Sequence, residues 1–558
     1  MEVIIFLGIL VLICFLAYLL GLRDEKNFEK KLLAKLKRDY GKAPGRKYKE
    51  DDLDHLNGYF LKHPNEFQID DTTWNDLNMD GVFARLNYCL SATGEEYLYH
   101  MLRTPSQSGD MEDLERHIEF FRNNDDARYS FQLIFAKIGR KIRYSIYDYI
   151  AYLDDMPDLS NRKHFMMLGL MAIAVATCFI NFTTGFTALV ILMVANIIMY
   201  FAKKGEIEPY LATYGYIMKV VKSVELFEKI KYPEVEKDIE NLVDAAKAFK
   251  SFERGSYILM SPSRMNSGGN PIEILLDYIR MSTHIDIIKF NQMYKEIIAH
   301  KDELDRILTI TGKLEAQISI ACYRESVKEQ FTRPVFVKNG AYSAQDLIHP
   351  LIEKCVANSV NTQNGMLITG SNASGKSTFL KSCAVNAILA QSLNTVLAKS
   401  YSAPVFRVYS SMALKDDIFG GDSYYIVEIK SIKRIIDAAK ENGAKVLCFV
   451  DEVLRGTNTI ERIAASTQIL KSFSEAGVLC FAATHDIELT SLLKNIFDIY
   501  HFEGIVTDND VHFDYSIKEG PATNRNAIKL LGVLGYDEKI VDDAQQLAEH
   551  FLSTGVWT

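Results

Sequence analysis

Apolar and polar residues alternate differently in two regions of the chain. Over residues 50–160 and 205–330, apolar residues recur every three or four positions and glycines are few, a pattern that predicts amphipathic helices. From about residue 335, short apolar runs bounded by Gly, Asn and Ser alternate with helical patterns. This alternation predicts an α/β domain with a mostly parallel sheet. We therefore expect a helical region followed by an α/β domain.

Three apolar runs in the C-terminal region have the length and composition of buried strands. They lie at residues 366–369, 446–450 and 478–483. The first run is followed by a glycine-rich loop and then by a helical run at 378–389. The sequence therefore predicts a strand–loop–helix unit at the start of the α/β domain.

Two stretches contain no charged residue. Residues 3–22 form one run, and residues 165–202 form another that is interrupted by a polar turn at 181–185. A helix needs about 20 apolar residues to cross a membrane, so these stretches predict three transmembrane helices, the last two as a hairpin. The alternatives are a cleaved signal peptide for the first stretch and a buried hairpin in a soluble core for the second. A signal peptide requires positive charge before the apolar run, whereas here Glu2 precedes it.

The charge distribution indicates an orientation in the membrane. The chain carries a net charge of −9, which excludes a protein that is basic throughout, but residues 23–49 carry +7. Basic pairs also flank the hairpin at 162–163 and 203–204. The positive-inside rule then predicts a multi-pass membrane protein with its N-terminus outside and its helical and α/β regions in the cytoplasm. The basic segment either contacts anionic lipid headgroups or is a solvated helix.

The segment GSNASGKS at residues 370–377 fits the pattern GxxxxGK[ST]. Between a strand and a helix, such a loop turns backbone N–H groups toward phosphate oxygens, and the helix adds its positive end. We expect Lys376 to reach the β- and γ-phosphates of ATP and Ser377 to ligate Mg²⁺. The predicted phosphate-binding residues are Gly370, Ser371, Asn372, Ala373, Ser374, Gly375, Lys376, Ser377 and Thr378.

Acidic and basic side chains follow the other two predicted strands. Asp451 and Glu452 come directly after the strand at 446–450. We expect Asp451 to hold magnesium and Glu452 to act as the general base toward the attacking water. His485 follows the strand at 478–483 and is expected to sense the γ-phosphate. The predicted catalytic residues are therefore Glu452, Lys376 and His485.

A second phosphate-binding device is predicted at Ser423, after two glycines and before a helix that starts near Tyr424. A helix N-terminus with a free hydroxyl binds phosphate well, although an ordinary N-cap is the alternative. Because one ATP already has the loop at 370–378, we expect Ser423 to bind the ATP of a second subunit. This arrangement implies a homodimer with composite sites.

These motifs together resemble the ATPase domain of the MutS family. The matching sequences are ITGSNASGKSTFLK, DDIFGGDSYYIVE, CFVDEVLRGTNTIER and FAATHDIELT; the last two contain the family's DE-x-x-RGT and ATH-x-x-ELT signatures. A weaker likeness at 69–77 extends the resemblance to residues 65–550. The resemblance implies an α/β P-loop ATPase of the ABC type, preceded by an all-α core and lever region. It also implies ATP and Mg²⁺ as cofactors and a C-terminal helical segment that packs against a partner subunit.

The chain departs from the family in three places. Mismatch-recognising members have an N-terminal domain that inserts a Phe beside the mispaired base, and the region before residue 65 is too short for it. The family's DNA clamp is an insertion in the lever helices, whereas here the uncharged hairpin interrupts that region. Within the loop, Ala373 and Ser374 replace the usual Met and Gly.

We divide the chain into a transmembrane helix (1–22), a basic linker (23–60), a first helical core and lever segment (61–163), a transmembrane hairpin (164–202), a second helical core and lever segment (203–332), a P-loop ATPase domain (333–520) and a dimerisation segment (521–558). The expected function is that of a membrane-anchored MutS-like ATPase that acts on DNA, in mismatch repair or in binding a DNA structure. The alternative is an ATP-driven switch that transmits lever motion to a membrane partner without DNA. Expected partners are a second copy, the lipid bilayer, DNA and an unidentified membrane or repair protein.

Overall fold

The chain folds, in a computed structural model, into a helical region packed against an α/β domain. The structure describes residues 23, 26–46, 48, 53, 56–140, 145–148, 150, 159–250, 278–371, 374–412, 424–455, 457–506, 511–522, 527–533 and 535–557. The first predicted membrane span, at 3–22, lies outside these residues.

The helical region confirms the helix prediction from apolar periodicity. Its helices are α1 (Asn57–Lys62), α2 (Asp71–Asp76), α3 (Met79–Leu86), α4 (Ala92–Arg103), α5 (Glu112–Asn123), α6 (Asp125–Ile138), α7 (Arg162–Ile180), α8 (Phe182–Phe227), α9 (Glu236–Ala246), α10 (Ile285–Ala299) and α11 (Lys301–Ser326).

Helix α11 is the central element of this region, and its residues from Leu314 to Arg324 are all buried. It packs closely against α4. A Cβ at Gly312 of α11 would lie 2.7 Å from the backbone oxygen of Thr93, so this contact requires glycine. The buried carboxylate of Glu315 accepts the backbone N–H of Ser91 at 3.1 Å, which fixes the start of α4 to the middle of α11.

Helices α7 and α8 form the predicted hairpin. The turn is shorter than expected, because α8 already begins at Phe182 and only Asn181 separates the two helices. The Asn181 side chain accepts the backbone N–H of Thr184 at 3.2 Å and so caps α8. A polar side chain in an otherwise apolar stretch therefore sets the turn.

The hairpin helices are long and apolar enough to cross a membrane, over Arg162–Ile180 and Phe182–Gly205. Only 11% and 17% of their most apolar windows are buried, and Phe179 and Ile180 at the tip are each 88% exposed. A hairpin within a soluble core would be mostly buried. The alternative of a buried hairpin therefore does not fit this structure.

Helix α8 continues for 46 residues without a break, a length of about 69 Å. Its second half is packed in the helical region, where Ile217, Val221 and Phe227 are at most 1% exposed. The predicted domain boundary between residues 202 and 203 falls inside this helix. One continuous helix therefore connects the apolar hairpin with the core of the helical region.

The α/β domain contains two sheets. Its strands are β1 (Val335–Phe336), β2 (Tyr342–Leu347), β3 (Asn358–Thr362), β4 (Met366–Gly370), β5 (Ser400–Ala403), β6 (Phe406–Ser411), β7 (Lys445–Asp451), β8 (Leu479–Ala483), β9 (Asp498–Val506) and β10 (Val511–Glu519). Its helices are α12 (Lys376–Leu393), α13 (Tyr424–Ala439), α14 (Thr459–Glu475), α15 (Glu488–Leu493), α16 (Ala527–Val533) and α17 (Glu538–Thr554).

The larger sheet has the order β10-β9-β4-β8-β7-β6 and is parallel except for the β10–β9 pair. This confirms the predicted mostly parallel sheet, and the three predicted strands are β4, β7 and β8. The second sheet has the order β1-β5-β2-β3 with mixed directions. The apolar pattern of the sequence did not predict it, because its strands are short and partly polar.

Helix α2 joins the helical region to the β6 edge of the larger sheet. The Asp76 carboxylate accepts the Met412 backbone N–H at 2.9 Å and the Ser410 hydroxyl at 2.7 Å. On the other side, the buried Arg324 of α11 donates to the carbonyl oxygen of Asn394, directly after α12, at 2.8 Å. Hydrogen bonds therefore connect the helical region both to an edge strand and to the end of the helix that follows the glycine-rich loop.

Candidate nucleotide-binding site

The segment 370–377 connects β4 to α12, as the sequence predicted. Gly370 and Gly375 have φ of 145° and 108°, where a side chain would be strained. A Cβ at Gly370 would also lie 2.5 Å from the carbonyl oxygen of Phe502 in β9. Both glycines are therefore required by the path of the loop, which ends at the N-terminus of α12.

Several polar groups of this loop contact only the loop itself or have no partner among the residues that the structure describes. The hydroxyls of Ser371 and Ser374 are buried, and no hydrogen-bond partner for them lies in the described part of the chain. The Lys376 ammonium donates to the carbonyl oxygens of Gly370 and Ser371 at 2.9 and 2.8 Å. Buried polar groups normally have partners, so the unpaired hydroxyls and the N-terminus of α12 fit a site for phosphate oxygens. Thr378 lies exposed in the first turn of this helix.

Three of the predicted phosphate-binding residues are not among the residues that the structure describes. Asn372 and Ala373 in the loop lie outside the described residues, and so does Ser423. The helix that was expected to start near Tyr424 is observed as α13, which begins at that residue. The roles predicted for the three residues remain predictions.

The two predicted magnesium ligands are in contact. The Ser377 hydroxyl, in the first turn of α12, donates a hydrogen bond to the carboxylate of Asp451 at the end of β7. Hydroxyl and carboxylate oxygens are the ligand types that Mg²⁺ prefers. Neither here nor elsewhere in the described ranges do three or more His, Cys, Asp or Glu residues group in a way that could hold a metal by themselves. The pair therefore fits a magnesium site that is completed by phosphate oxygens and water.

Glu452 is held between two basic side chains. His485 Nε2 lies 2.7 Å from Glu452 Oε1, and Arg455 Nε lies 2.7 Å from Glu452 Oε2. Burial alone would raise the pKa of the Glu452 carboxyl, but the hydrogen bond from His485 and the charge of Arg455 hold this pKa below its ordinary value. Glu452 is therefore ionised at neutral pH and keeps its accepting lone pairs.

The backbone after β7 is strained where Glu452 is presented. Glu452 and Leu454 both have φ of 61°, a region that costs a non-glycine residue about 1–2 kcal/mol. Such conformations persist only where the surroundings enforce them, and they cluster at functional sites. The sequence analysis assigned no role to Arg455. It lies three residues after the predicted base, and that spacing was a signal that the two side chains are close together.

A cavity opens beside the first turn of α12, and sequence analysis did not predict most of its lining. The lining residues are Leu347, Ile352, Lys354, Cys355, Val356, Asn358, Gly375, Thr378, Phe379, Ser382 and Tyr515. They come from the end of β2, the β2–β3 connection, the start of β3, the glycine-rich loop, α12 and β10. Small-molecule ligands bind in mostly apolar cavities with a few polar groups, and this cavity adjoins the glycine-rich loop at Gly375.

Comparison with known proteins identifies the domain that carries these residues. Residues 366–552 match the model of MutS domain V. The chain is 30% identical over 274 residues to a DNA mismatch repair protein MutS of Natronomonas pharaonis, covering 46% of the chain and 31% of that protein. It is 29% identical over 271 residues to the MutS of Pseudothermotoga lettingae, covering 46% and 33%.

A protein named DNA mismatch repair protein MutS 2, from Haloarcula marismortui, is 34% identical over 185 residues, which are 32% of the chain and 19% of that protein. The chain thus spans about a third or less of the length of these relatives. The similarity lies in the region that contains the strand–loop–helix unit, the acidic pair and His485. Residues 366–552 of this chain therefore form a MutS domain V, which identifies its C-terminal α/β domain as a member of the MutS family.

Proposed function

We propose that this protein is a magnesium-dependent ATPase. The observation that carries the proposal is the convergence of Lys376, Ser377, Asp451, Glu452 and His485 at the carboxyl ends of β4, β7 and β8. These side chains come from three separate segments of the sequence, yet Glu452 contacts His485 and Ser377 contacts Asp451. Such an arrangement serves phosphoryl transfer, in which catalysis consists mainly of positioning and charge stabilisation.

Each residue has a defined role in this proposal. The loop backbone, the hydroxyls of Ser371 and Ser374 and the Lys376 ammonium bind the phosphates. Ser377 and Asp451 hold Mg²⁺, which supplies neutralisation of charge on the phosphate oxygens. Glu452 orients and deprotonates the attacking water. His485 contacts Glu452 and lies where it can respond to the γ-phosphate.

The pKa of the Lys376 ammonium in the absence of nucleotide makes the affinity for ATP depend on pH. Burial lowers the pKa of the Lys376 ammonium to about 8, although the charges of Asp451 and Glu452 oppose this. A lysine that pairs with phosphate is charged, so above this pKa binding must take up a proton and the affinity falls as the pH rises. We expect MgATP to bind about tenfold more weakly at pH 9 than at pH 7, measured by titration calorimetry.

The matched control for this pH dependence is Lys376→Arg, whose guanidinium stays charged over the same range. Its affinity for MgATP, although weaker overall, is expected to change little between pH 7 and 9. An affinity of the unsubstituted protein that is constant up to pH 9 would contradict the role given to Lys376.

The protein is proposed to act as a homodimer, in which Ser423 of one subunit completes the ATP site of the other. The support is the C-terminal helix α17, which buries none of its residues in the single chain. Its apolar residues Ile540, Leu547 and Leu552 are 52%, 45% and 58% exposed. Ile540 and Leu547 are seven residues apart and therefore lie on the same face of α17. Exposed apolar residues on one helix face fit packing against a partner subunit.

DNA is the proposed target of the ATPase. The relatives carry the name DNA mismatch repair protein MutS, and the basic segment 23–49 supplies positive charge for phosphate contacts. The action on DNA is proposed to be mismatch-repair-like or the binding of a DNA structure.

A second candidate is an ATP-driven membrane switch without DNA, and the continuous helix α8 favours it. The hairpin is proposed to anchor the protein as a multi-pass membrane protein, with the helical and α/β regions in the cytoplasm. Polar contacts also connect its base to the start of α10. The Tyr200 hydroxyl donates to Asp286 at 2.8 Å, and His164 Nδ1 lies 2.9 Å from Nδ1 of His284, the residue directly before α10. A movement of the helical region would therefore tilt the hairpin.

Steady-state ATP turnover distinguishes the two candidates. We would measure it on the detergent-purified protein and in lipid vesicles, with perfect, mismatched and branched DNA and without DNA. Stimulation by DNA is the expected result, and the ranking of the DNA substrates identifies the structure that is bound. A turnover rate that is the same with every DNA and without DNA, but that changes with lipid composition, would overturn the DNA proposal and support the membrane switch. Absence of turnover under all conditions would contradict the ATPase itself.

A further inference from the structure

Glu428 is a buried acidic residue that contacts the strained loop after β7. It lies in the first turns of α13 and is 2% exposed. Burial of a carboxylate is costly unless hydrogen bonds compensate it, so the partners of this side chain indicate why it is there. Glu428 is the last residue of the family-like sequence DDIFGGDSYYIVE, but none of the roles proposed above involves it.

Both oxygens of Glu428 accept backbone N–H groups of that loop. The N–H of Leu454 donates to Oε1 at 2.6 Å, and the N–H of Arg455 donates to Oε2 at 3.1 Å. Charge-assisted bonds of this kind are stronger than bonds between neutral groups. These bonds hold the backbone of Leu454, which has a positive φ, and of its neighbour Arg455. The Arg455 side chain contacts Glu452.

The loop is fixed at its other end by the sheet. The Glu452 N–H donates to the Ala483 carbonyl oxygen of β8 at 2.8 Å, while a guanidinium nitrogen of Arg455 donates to the Asp451 carbonyl oxygen at 3.1 Å. The sheet therefore restrains the start of the loop and Glu428 restrains its end. Between the two restraints lies the carboxylate that the proposed reaction uses.

We infer that Glu428 is a positioning residue for ATP hydrolysis, which holds residues 452–455 in the strained conformation that presents Glu452 to the nucleotide site. The inference rests on the ATPase function proposed above. Glu428 does not touch the phosphates; it acts through the backbone of Leu454 and Arg455. Its effect therefore falls on the catalytic step and leaves nucleotide binding largely intact, because the loop at 370–377 is a separate segment.

The test is Glu428→Gln, which keeps the size of the side chain. An amide offers one accepting oxygen where the carboxylate offers two. The NH₂ group therefore faces a backbone N–H donor, and the bonds that Glu428 accepts from Leu454 and Arg455 are weakened. We expect kcat for ATP to fall about tenfold, since a small displacement of a catalytic group has effects of this order or larger. The KM and the affinity for a fluorescent ATP analogue are expected to change less than twofold. Ile435→Val, in the buried face of the same helix, is the control for loosened packing and should keep kcat.

A double substitution separates positioning from a general loss of folded protein. In a Glu452→Ala background the base is absent, so Glu428→Gln should lower the residual single-turnover rate less than twofold. Equal losses in both backgrounds would show that Glu428 only supports folding and would overturn the inference. An unchanged kcat of Glu428→Gln in an active wild-type protein would also overturn it. Inactive wild-type protein would instead refute the proposed ATPase.

Discussion

Glu452→Ala is expected to leave ATP bound and uncleaved. The substitution removes the carboxylate that is proposed to accept a proton from the attacking water, and a positioned general base contributes about 10²- to 10⁴-fold to such a reaction. The proposed phosphate-binding groups are on a separate segment, β4 to α12, and keep their positions. We therefore expect kcat to fall by at least about 100-fold while the affinity for MgATP stays within about threefold of wild type.

The measurement is single-turnover hydrolysis of labelled ATP together with equilibrium binding on the same preparation. Glu475→Ala is the matched control, because Glu475 is an exposed glutamate at the end of α14, away from the site. Normal turnover of the Glu452 variant would show that another group is the base. A loss of ATP binding in parallel with turnover would show instead that Glu452 supports the structure of the site.

Lys376→Ala is expected to abolish binding of ATP at concentrations that saturate the wild-type protein. Lys376 is 5% exposed and already points at the loop carbonyls that surround the phosphate site. Removing it deletes charge-assisted hydrogen bonds worth about 1.5–3 kcal/mol each, and a loss of about 3 kcal/mol corresponds to more than 100-fold in affinity. Turnover should disappear with binding, in contrast to the Glu452 variant.

The control for this substitution is Lys381→Ala, which removes one positive charge from the same helix five residues further along. It should bind MgATP almost as the wild type does, because it leaves the loop unchanged. Titration calorimetry with MgATP measures the affinity of both variants. If the Lys376 variant bound ATP with wild-type affinity, the phosphates would have to lie elsewhere and the site described above would be wrong.

The segments that the sequence predicted best are those with a local pattern. Strands β4, β7 and β8 are continuous apolar runs, and the glycines at 370 and 375 are needed because the loop turns tightly there. The strands and the glycines can therefore be predicted from residues that are close together in the sequence. The same holds for the start of α13 at Tyr424 and for the hairpin at 165–202. In each case the feature depends on residues a few positions apart.

The prediction was weaker where a feature depends on distant residues. The turn of the hairpin is a local exception: it is Asn181 alone, because the Asn181 side chain accepts the Thr184 N–H and α8 begins at once. The second sheet was missed because its strands are short and its pairing, such as β1 with β5, joins segments more than 60 residues apart. The cavity beside α12 was missed for the same reason, since Leu347 and Tyr515 meet there only after folding.

The sequence by itself determined the family of the α/β domain, the positions of its main strands along the chain and the identity of the residues expected to bind and hydrolyse ATP. It could do so because glycine-rich turns, apolar periodicity and acidic pairs after strands are local consequences of backbone sterics and side-chain burial. The tertiary structure alone decided that Glu452 lies between His485 and Arg455, that Glu428 reaches the loop behind them, and that one helix runs from the hairpin into the core. These contacts depend on how separate elements pack, and no pattern within a single segment encodes that packing.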